Sequence, residues 1–261
     1  MHLTNKTAIV TGSTSGIGFG TAKALAAHGA NIVLNGFGDA ALIDQLKKEV
    51  KEAGAGGVIH IGADMRKQAE INDMVATAEK EFGSVDILVN NAGIQFVSEL
   101  EKFPEEKWDD IIAINLTAPF HLTKAVLPGM QKRGFGRIVN IASVQGLIGS
   151  INKSAYVASK HGIIGLTKVT ALENATRGIT CNAVCPGYVL TPLVQKQLDD
   201  RAKEKGLTPE QAVESLLGEK QPMMQFVRIE NIANMVAYMC SPAADRMTGS
   251  CVPVDGGWTA Q

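Results

Sequence analysis

No cysteine pair in this chain has the spacing of a metal site or a redox pair. The four thiols, Cys181, Cys185, Cys240 and Cys251, form no C-x-x-C and no Cys/His ligand set. Cys181 and Cys185 lie in the strand-like run ITCNAVC, where four residues of strand separate them by about 13 Å, beyond the ~7 Å limit for a disulfide. Reduced structural thiols are therefore expected. Five scattered histidines (His2, His28, His60, His121 and His161) give no sign of a metal centre. Excess charge of either sign is also lacking: 25 Lys and Arg face 26 Asp and Glu, for a net charge of −1. No basic block is long enough to track a phosphate backbone, which argues against a nucleic-acid partner. The N-terminus, MHLTNKTAIVTGS, enters an apolar strand and a glycine turn without a charged n-region, a cleavage site or an 18-residue apolar stretch. A soluble cytoplasmic protein that uses no membrane is the expectation. Nor does a repeat, low-complexity segment or Pro/Gly/Ser linker divide the 261 residues, so one domain is expected over 1–261.

The chain does have a regular alternation. Apolar β-branched runs, TAIV (7–10), NIVL (31–34), GVIHI (57–61), DILV (86–89), RIVNIA (137–142), ITCNAV (179–184) and CVPV (251–254), alternate with longer amphipathic stretches. Helices are expected over 16–28, 40–53, 67–82, 105–132, 154–176 and 230–240. Continuous apolar strands interleaved with helices predict an α/β fold, a doubly wound Rossmann domain with a seven-stranded parallel sheet. The segment 191–227 interrupts the alternation with two helical patterns, the second opening with Thr208 at N-cap, Pro209 at N1 and Gln211 at N3. An insertion of that size before the last strand is expected to form a helical substrate lid.

After the first strand comes TGSTSGIG, with Gly12, Gly16 and Gly18 leading into a helix. Glycines there permit a tight turn, and the helix N-terminus offers free N–H groups to a pyrophosphate. At the end of the second strand, where a dinucleotide fold meets the adenosine ribose, the residues are Asn35, Gly36 and Phe37. No Arg or Lys is present to hold a 2′-phosphate, and Ser15 in the turn is neutral, so NAD is expected over NADP. The usual acidic ribose clamp is missing too. Asn35 or a backbone group is expected to serve, with Phe37 packing beside the ribose or adenine.

Tyr156 and Lys160 stand four apart in SAYVASK, on one face of a helix. A free phenol titrates near pH ~10, and lowering it by about 3 units takes roughly 4 kcal/mol. One cation ~4 Å away at an effective dielectric of about 20 supplies a similar amount. The pair is thus suited to make a phenol act as a base.

TGSTSGIG, NNAG at 90–93, Asn115 in the following helix, Ser143 ending RIVNIAS, and Tyr156-x-x-x-Lys160 arrive in one order and spacing, and over essentially its whole length the chain resembles the short-chain dehydrogenase/reductase family. That resemblance implies an oxidoreductase in which Tyr156 is the base and Ser143 bonds the substrate oxygen. It implies that Lys160 lowers the Tyr156 pKa and binds the nicotinamide ribose, and that Asn115 holds a proton-relay water. Gly12, Thr14, Ser15, Gly16, Ile17, Gly18 and Phe37 are implied on the cofactor, with Ala63, Asp64 and Met65 at the adenine side. Asn91 and Gly93 fall at the ribose, and Pro186, Gly187, Val189 and Thr191 at the carboxamide. A homotetramer with long helices between subunits is implied as well.

Within the family, VLNGFG, NNAGIQ, NKSAYVASKHG, CPGYVLTPLV, KQP and DGGWTAQ resemble members that interconvert (R)-3-hydroxybutyrate and acetoacetate with NAD. A small anionic substrate follows. Lys153, three residues before Tyr156, is suited to hold its carboxylate, with Gln95, Gln145 and Gln197 adding neutral hydrogen bonds. Tyr188 and Trp258 would bound a small, water-poor pocket. Gln145 departs from that group, which commonly carries a histidine there; an amide donates a hydrogen bond but carries no charge. The competing readings are an enzyme of the same family acting on a neutral alcohol, a ketone or a 3-oxoacyl thioester, and a non-catalytic NAD-binding regulatory protein.

Overall fold

The computed structural model describes residues 2–260. Its strands are β1 (Thr7–Val10), β2 (Asn31–Asn35), β3 (Val58–Ile61), β4 (Ile87–Asn90), β5 (Gly136–Ile141), β6 (Ile179–Pro186) and β7 (Cys251–Val254). They form one parallel sheet in the order β3-β2-β1-β4-β5-β6-β7. The order reverses between β1 and β4, and crevices for ligands form beyond the carboxyl ends of strands at such a point.

Strand periodicity divides the core in two. Ala8 and Val10, Ile32 and Leu34, and Ile87 and Val89 point to one face. There they meet Ala22 and Leu25 of α1 (Gly16–Ala27), Leu46 and Val50 of α2 (Ala40–Glu52), and two buried residues, Ile232 and Val236. Ile9, Val33 and Leu88 point to the other face, against Ile71 and Met74 of α3 (Gln68–Phe82) and the pair Leu122 and Val126. Because both faces are covered, the strands read as unbroken apolar runs in the sequence.

The expected helix over 105–132 is α4 (Glu105–Ile112), one π-helical turn (Ala113–Thr117) and α5 (Ala118–Arg133). By length and composition the run Glu105–Arg133 could cross a membrane. Its apolar stripe is instead turned to the sheet, where Leu122, Val126 and Met130 are fully buried. The next helix, α6 (Ser154–Asn174), packs along β6. Between β6 and β7 come α7 (Pro192–Lys205), α8 (Pro209–Gly218) and α9 (Ile229–Met239). Thr208 caps α8 in a capping box with Gln211. Val194, Leu198 and Leu216 form a small cluster of their own, separate from the sheet core.

All four cysteines are free thiols, and burial pushes Cys181, Cys185 and Cys240 up to about 12. They are inert as nucleophiles at neutral pH. Among the described residues no group of three or more His, Cys, Asp or Glu is placed to hold a metal ion.

Candidate active site

Two adjoining cavities open at the carboxyl ends of the strands. The first, of about 410 Å³, is lined by Gly12, Thr14, Ser15, Gly16, Ile17, Asn35, Gly36, Phe37, Ala63, Asp64, Met65, Asn91, Gly93 and Thr191, among others. Gly12 and Gly16 have φ of +59° and +55°, which only glycine adopts freely. Gly18 lies behind the wall: a Cβ there would run into the Gly12 carbonyl and come within 2.5 Å of Asn91 Nδ2. Ser15 caps α1 without a side-chain bond, and the first turn has no acidic residue, so the N–H groups and positive helix end face the cavity. This glycine cradle fits the pyrophosphate of a dinucleotide.

One sequence expectation is corrected here, the use of the Asn35 side chain; Phe37, Asp64 and Asn91 line the cavity where they were expected. Asn35 is fully buried and serves the protein itself: its Oδ1 accepts from Gly12 N–H at 3.2 Å, and its amide donates to the Ile61 and Ala63 carbonyls, each at 3.0 Å. No side-chain group of Asn35 remains for a ribose. The Asn91 amide likewise donates to the Thr11 and Gly12 carbonyls at 2.8 and 3.0 Å, supporting the turn from behind. Asp64 is held by a bidentate bond from Arg66, which keeps its carboxyl below the usual carboxylate range. Phe37 stands 69% exposed at the rim.

The second cavity, of about 150 Å³, is lined by Gln95, Ser143, Gln145, Lys153, Tyr156, Lys160, Pro186, Gly187, Tyr188, Val189, Thr191, Gln197 and Trp258, together with apolar residues. β5 ends one residue before Ala142, delivering Ser143; α6 presents Tyr156 and Lys160 one turn apart; α7 brings Gln197 across the top. Tyr188 and Trp258 stack at 4.7 Å between ring centres. Ile94, Ile141, Ala142, Val144 and Val194 add apolar wall. Those five were missed because an apolar residue at a strand end, in a loop or at a helix start has no chemical signature in a sequence.

Lys160 is 96% removed from solvent, and its Nζ donates to the Ile141 carbonyl at 2.8 Å while lying 5.5 Å from the Tyr156 ring centre. Burial lowers its pKa to about 8. Lys160 and Tyr156 thus stand side by side on one face of α6. Burial raises the Tyr156 pKa, and the opposing influence is a hydrogen bond with Ser143. Asn115 belongs to the framework around the site. It sits in the π-helical turn, outside both cavity walls, and its side chain is occupied by the Ile94 N–H (2.9 Å), the Ile94 carbonyl (3.0 Å) and Ser159 Oγ (3.2 Å). Lys153 faces the small cavity with its ammonium desolvated, which lowers its pKa to about 8 with no charged partner contributing.

A dinucleotide fold with a Ser, Tyr and Lys cluster beside its glycine cradle defines a class, and the chain belongs to the short chain dehydrogenase family, whose model matches residues 6–202. It is an oxidoreductase of that family, with a nicotinamide cofactor. It is 57% identical over 260 residues to a D-beta-hydroxybutyrate dehydrogenase of Cupriavidus necator, covering 99% of this chain and 100% of the relative. It is 53% identical over 256 residues to a D-beta-hydroxybutyrate dehydrogenase of Rhizobium meliloti, covering 98% and 99% of the two chains. Among solved structures it resembles a variant actinorhodin polyketide ketoreductase with NADPH, at a TM-score of 0.92 and 37% identity over 99% of this chain and 100% of that one.

Proposed function

We propose that this oxidoreductase interconverts (R)-3-hydroxybutyrate and acetoacetate, with NAD as its nicotinamide cofactor. The observation that carries the reading is the placement of Lys153: a half-buried cation in no salt bridge among the described residues, in the same small cavity as Ser143 and Tyr156. A partly desolvated charge is costly unless paired, so such a site favours a ligand that brings a carboxylate. The two hydroxybutyrate dehydrogenase relatives support the same substrate.

NAD is favoured over NADP because no Lys or Arg lines the adenosine cavity and the Asp64 carboxylate does. The bound nicotinamide supplies the carbon that accepts a hydride from C3 of the hydroxy acid. Ser143 bonds the C3 oxygen, and Tyr156 as phenolate takes the hydroxyl proton while the C3–O bond becomes a carbonyl. In reduction Tyr156 returns the proton. Lys153, with Gln95, Gln145 and Gln197, holds the carboxylate, and the Tyr188–Trp258 stack excludes water. Lys160 holds the nicotinamide ribose. Asn115 serves through its bonds to Ile94 and Ser159, which fix the start of the loop bearing Gln95 against the catalytic helix.

The segment 191–227 acts as a lid on one catalytic domain. Its separate apolar cluster, and a clasp between Arg201 of α7 and Glu219 after α8 at 2.7 Å, join α7 and α8 into one unit. A homotetramer is part of the proposal, supported by exposed Phe120 on α5 and Val169 and Leu172 on α6. A panel of (R)- and (S)-3-hydroxy acids and neutral alcohols, each assayed with NAD and NADP, tests the reading. Preference for a neutral alcohol, or for NADP, would overturn it.

A further inference from the structure

The geometry points to Gln221 as a positioning residue that fixes the aromatic floor of the substrate cavity, an inference that rests on the hydroxy-acid reading above. Gln221 lies outside the cavity wall and is 99% buried, an unusual place for an amide side chain. It stands where the returning strand of the lid passes the outgoing one. Its Oε1 accepts from the Tyr188 N–H at 3.0 Å, and its Nε2 donates to the Gln225 carbonyl. The Tyr188 carbonyl in turn accepts from Val227 N–H at 2.8 Å, and Val189 bridges Val227. Both backbone groups of Tyr188 are therefore held by the returning stem, one of them through Gln221.

The same side chain touches the other half of the floor. A Cβ added to Gly187 would stand 2.7 Å from Gln221 Oε1, and one added to Gly256 would stand 2.8 Å from Gln221 Cγ. The amide thus fills a slot that exists only because both flanking residues are glycines. Tyr188 follows Gly187 by one residue, and Trp258 follows Gly256 by two. Met223 N–H also donates to the Gly256 carbonyl at 3.1 Å, locking the stem to the C-terminal turn. Around that turn, Asp255 accepts from Gly257 N–H and Thr259 N–H at 3.0 and 2.9 Å. Gln221 accordingly sets the separation of the two backbones that bring the Tyr188 and Trp258 rings to 4.7 Å. A buried amide with donor and acceptor both used gives this spacing a direction that an apolar spacer of equal length does not.

The test compares the full-length enzyme with Gln221→Met and Gln221→Glu. Methionine keeps length and loses both bonds: KM for (R)-3-hydroxybutyrate is expected to rise about tenfold or more, with kcat reduced less and NAD affinity unchanged. Glutamate is the conservative variant with a switch. Ionised, it opposes the Gln225 carbonyl; protonated, it donates there and still accepts from Tyr188. Burial raises a carboxyl pKa, so its KM, as a ratio to wild type, is expected to fall toward one between about pH 8 and 6. A wild-type KM in both variants, or a ratio for Gln221→Glu that ignores pH, would overturn the inference; if the methionine variant does not fold, the glutamate variant decides. A second readout does not depend on the substrate. In a Trp108→Phe background, the near-UV circular dichroism of Trp258 reports its stacking on Tyr188. Loss of that band in Gln221→Met supports the inference and its retention overturns it, even if the wild-type enzyme rejects hydroxybutyrate and the substrate reading fails.

Discussion

Lys160 Nζ lies 5.5 Å from the centre of the Tyr156 ring and gives its hydrogen bond to the Ile141 carbonyl, so cation and phenol share a helix face without bonding each other. The group that favours the Tyr156 phenolate by direct contact is Ser143. Ser143→Ala is therefore expected to move the rising limb of the pH–kcat profile for oxidation to higher pH, and to lower kcat by about 10² near neutrality. A limb that stays in place would show that Ser143 acts on the substrate alone.

Tyr156→Phe removes the proton acceptor and little else. The expected result is loss of turnover by about 10³ or more, with NAD affinity nearly unchanged in a fluorescence titration. Normal activity in this variant would sink the mechanism.

Lys153 gives the substrate step its own pH dependence. Its ammonium loses the proton at about 8, so kcat/KM for the hydroxy acid is expected to decline above that pH. Lys153→Arg stays charged and should carry the plateau to higher pH, while Lys153→Ala should raise KM by about 10- to 100-fold, the worth of a charged hydrogen bond, and still bind NAD. Unchanged KM in the alanine variant would remove the carboxylate role.

The same residue sets a cost in stability. Lys153 titrates near 10.5 when unfolded and at about 8 when folded. Between those values the unfolded chain binds more protons, so this group's contribution to stability rises with pH, and below about pH 8 its full cost is present. Lys153→Met is expected to stabilise the protein at pH 7 by up to about 3 kcal/mol, less any loss of packing, with the gain vanishing as pH approaches 10.5. Denaturant unfolding of both proteins at pH 7 and pH 10 checks this, since the buried cysteines contribute equally to each. A gain independent of pH would mean that packing, not charge, decides the difference.

The strands were legible because their burial on both faces leaves unbroken apolar runs, and the helices because each has one stripe on the sheet. Thr208, Pro209 and Gln211 foretold the start of α8 because capping is a local matter of four residues. The π-helical turn around Asn115 was not legible, since what meets Asn115 there is Ile94, 21 residues away in the sequence. For the same reason Asn35 read as a ribose contact: only the fold shows that Gly12, Ile61 and Ala63 already occupy its amide. The residues of the two cavities were recognisable as a set, whereas the orientation of Lys160 relative to Tyr156 depends on where the end of β5 offers a free carbonyl. Gln221 entered the sequence reading only within KQP, as part of a resemblance; its positioning role was not legible, because a polar residue in a loop reads as solvated until the lid stems are seen to cross over it.

Cofactor choice gives the last prediction. At the adenosine end, Gly36 has φ of +142°, and a Cβ there would stand 2.7 Å from Thr14 Oγ1, so a basic side chain cannot be introduced at that position without strain. Phe37 is different: it is 69% exposed on the rim of the same cavity, where a longer side chain has room. Phe37→Arg would bring a guanidinium to the place where a 2′-phosphate would lie, with fork geometry suited to phosphate. Its kcat/KM with NADP is expected to rise by about 10- to 100-fold, while NAD loses only the apolar contact. Parallel titrations with NAD and NADP at low and high salt separate the outcomes, because a new phosphate contact weakens with ionic strength and lost packing does not. No gain with NADP would mean that the ribose does not face Phe37.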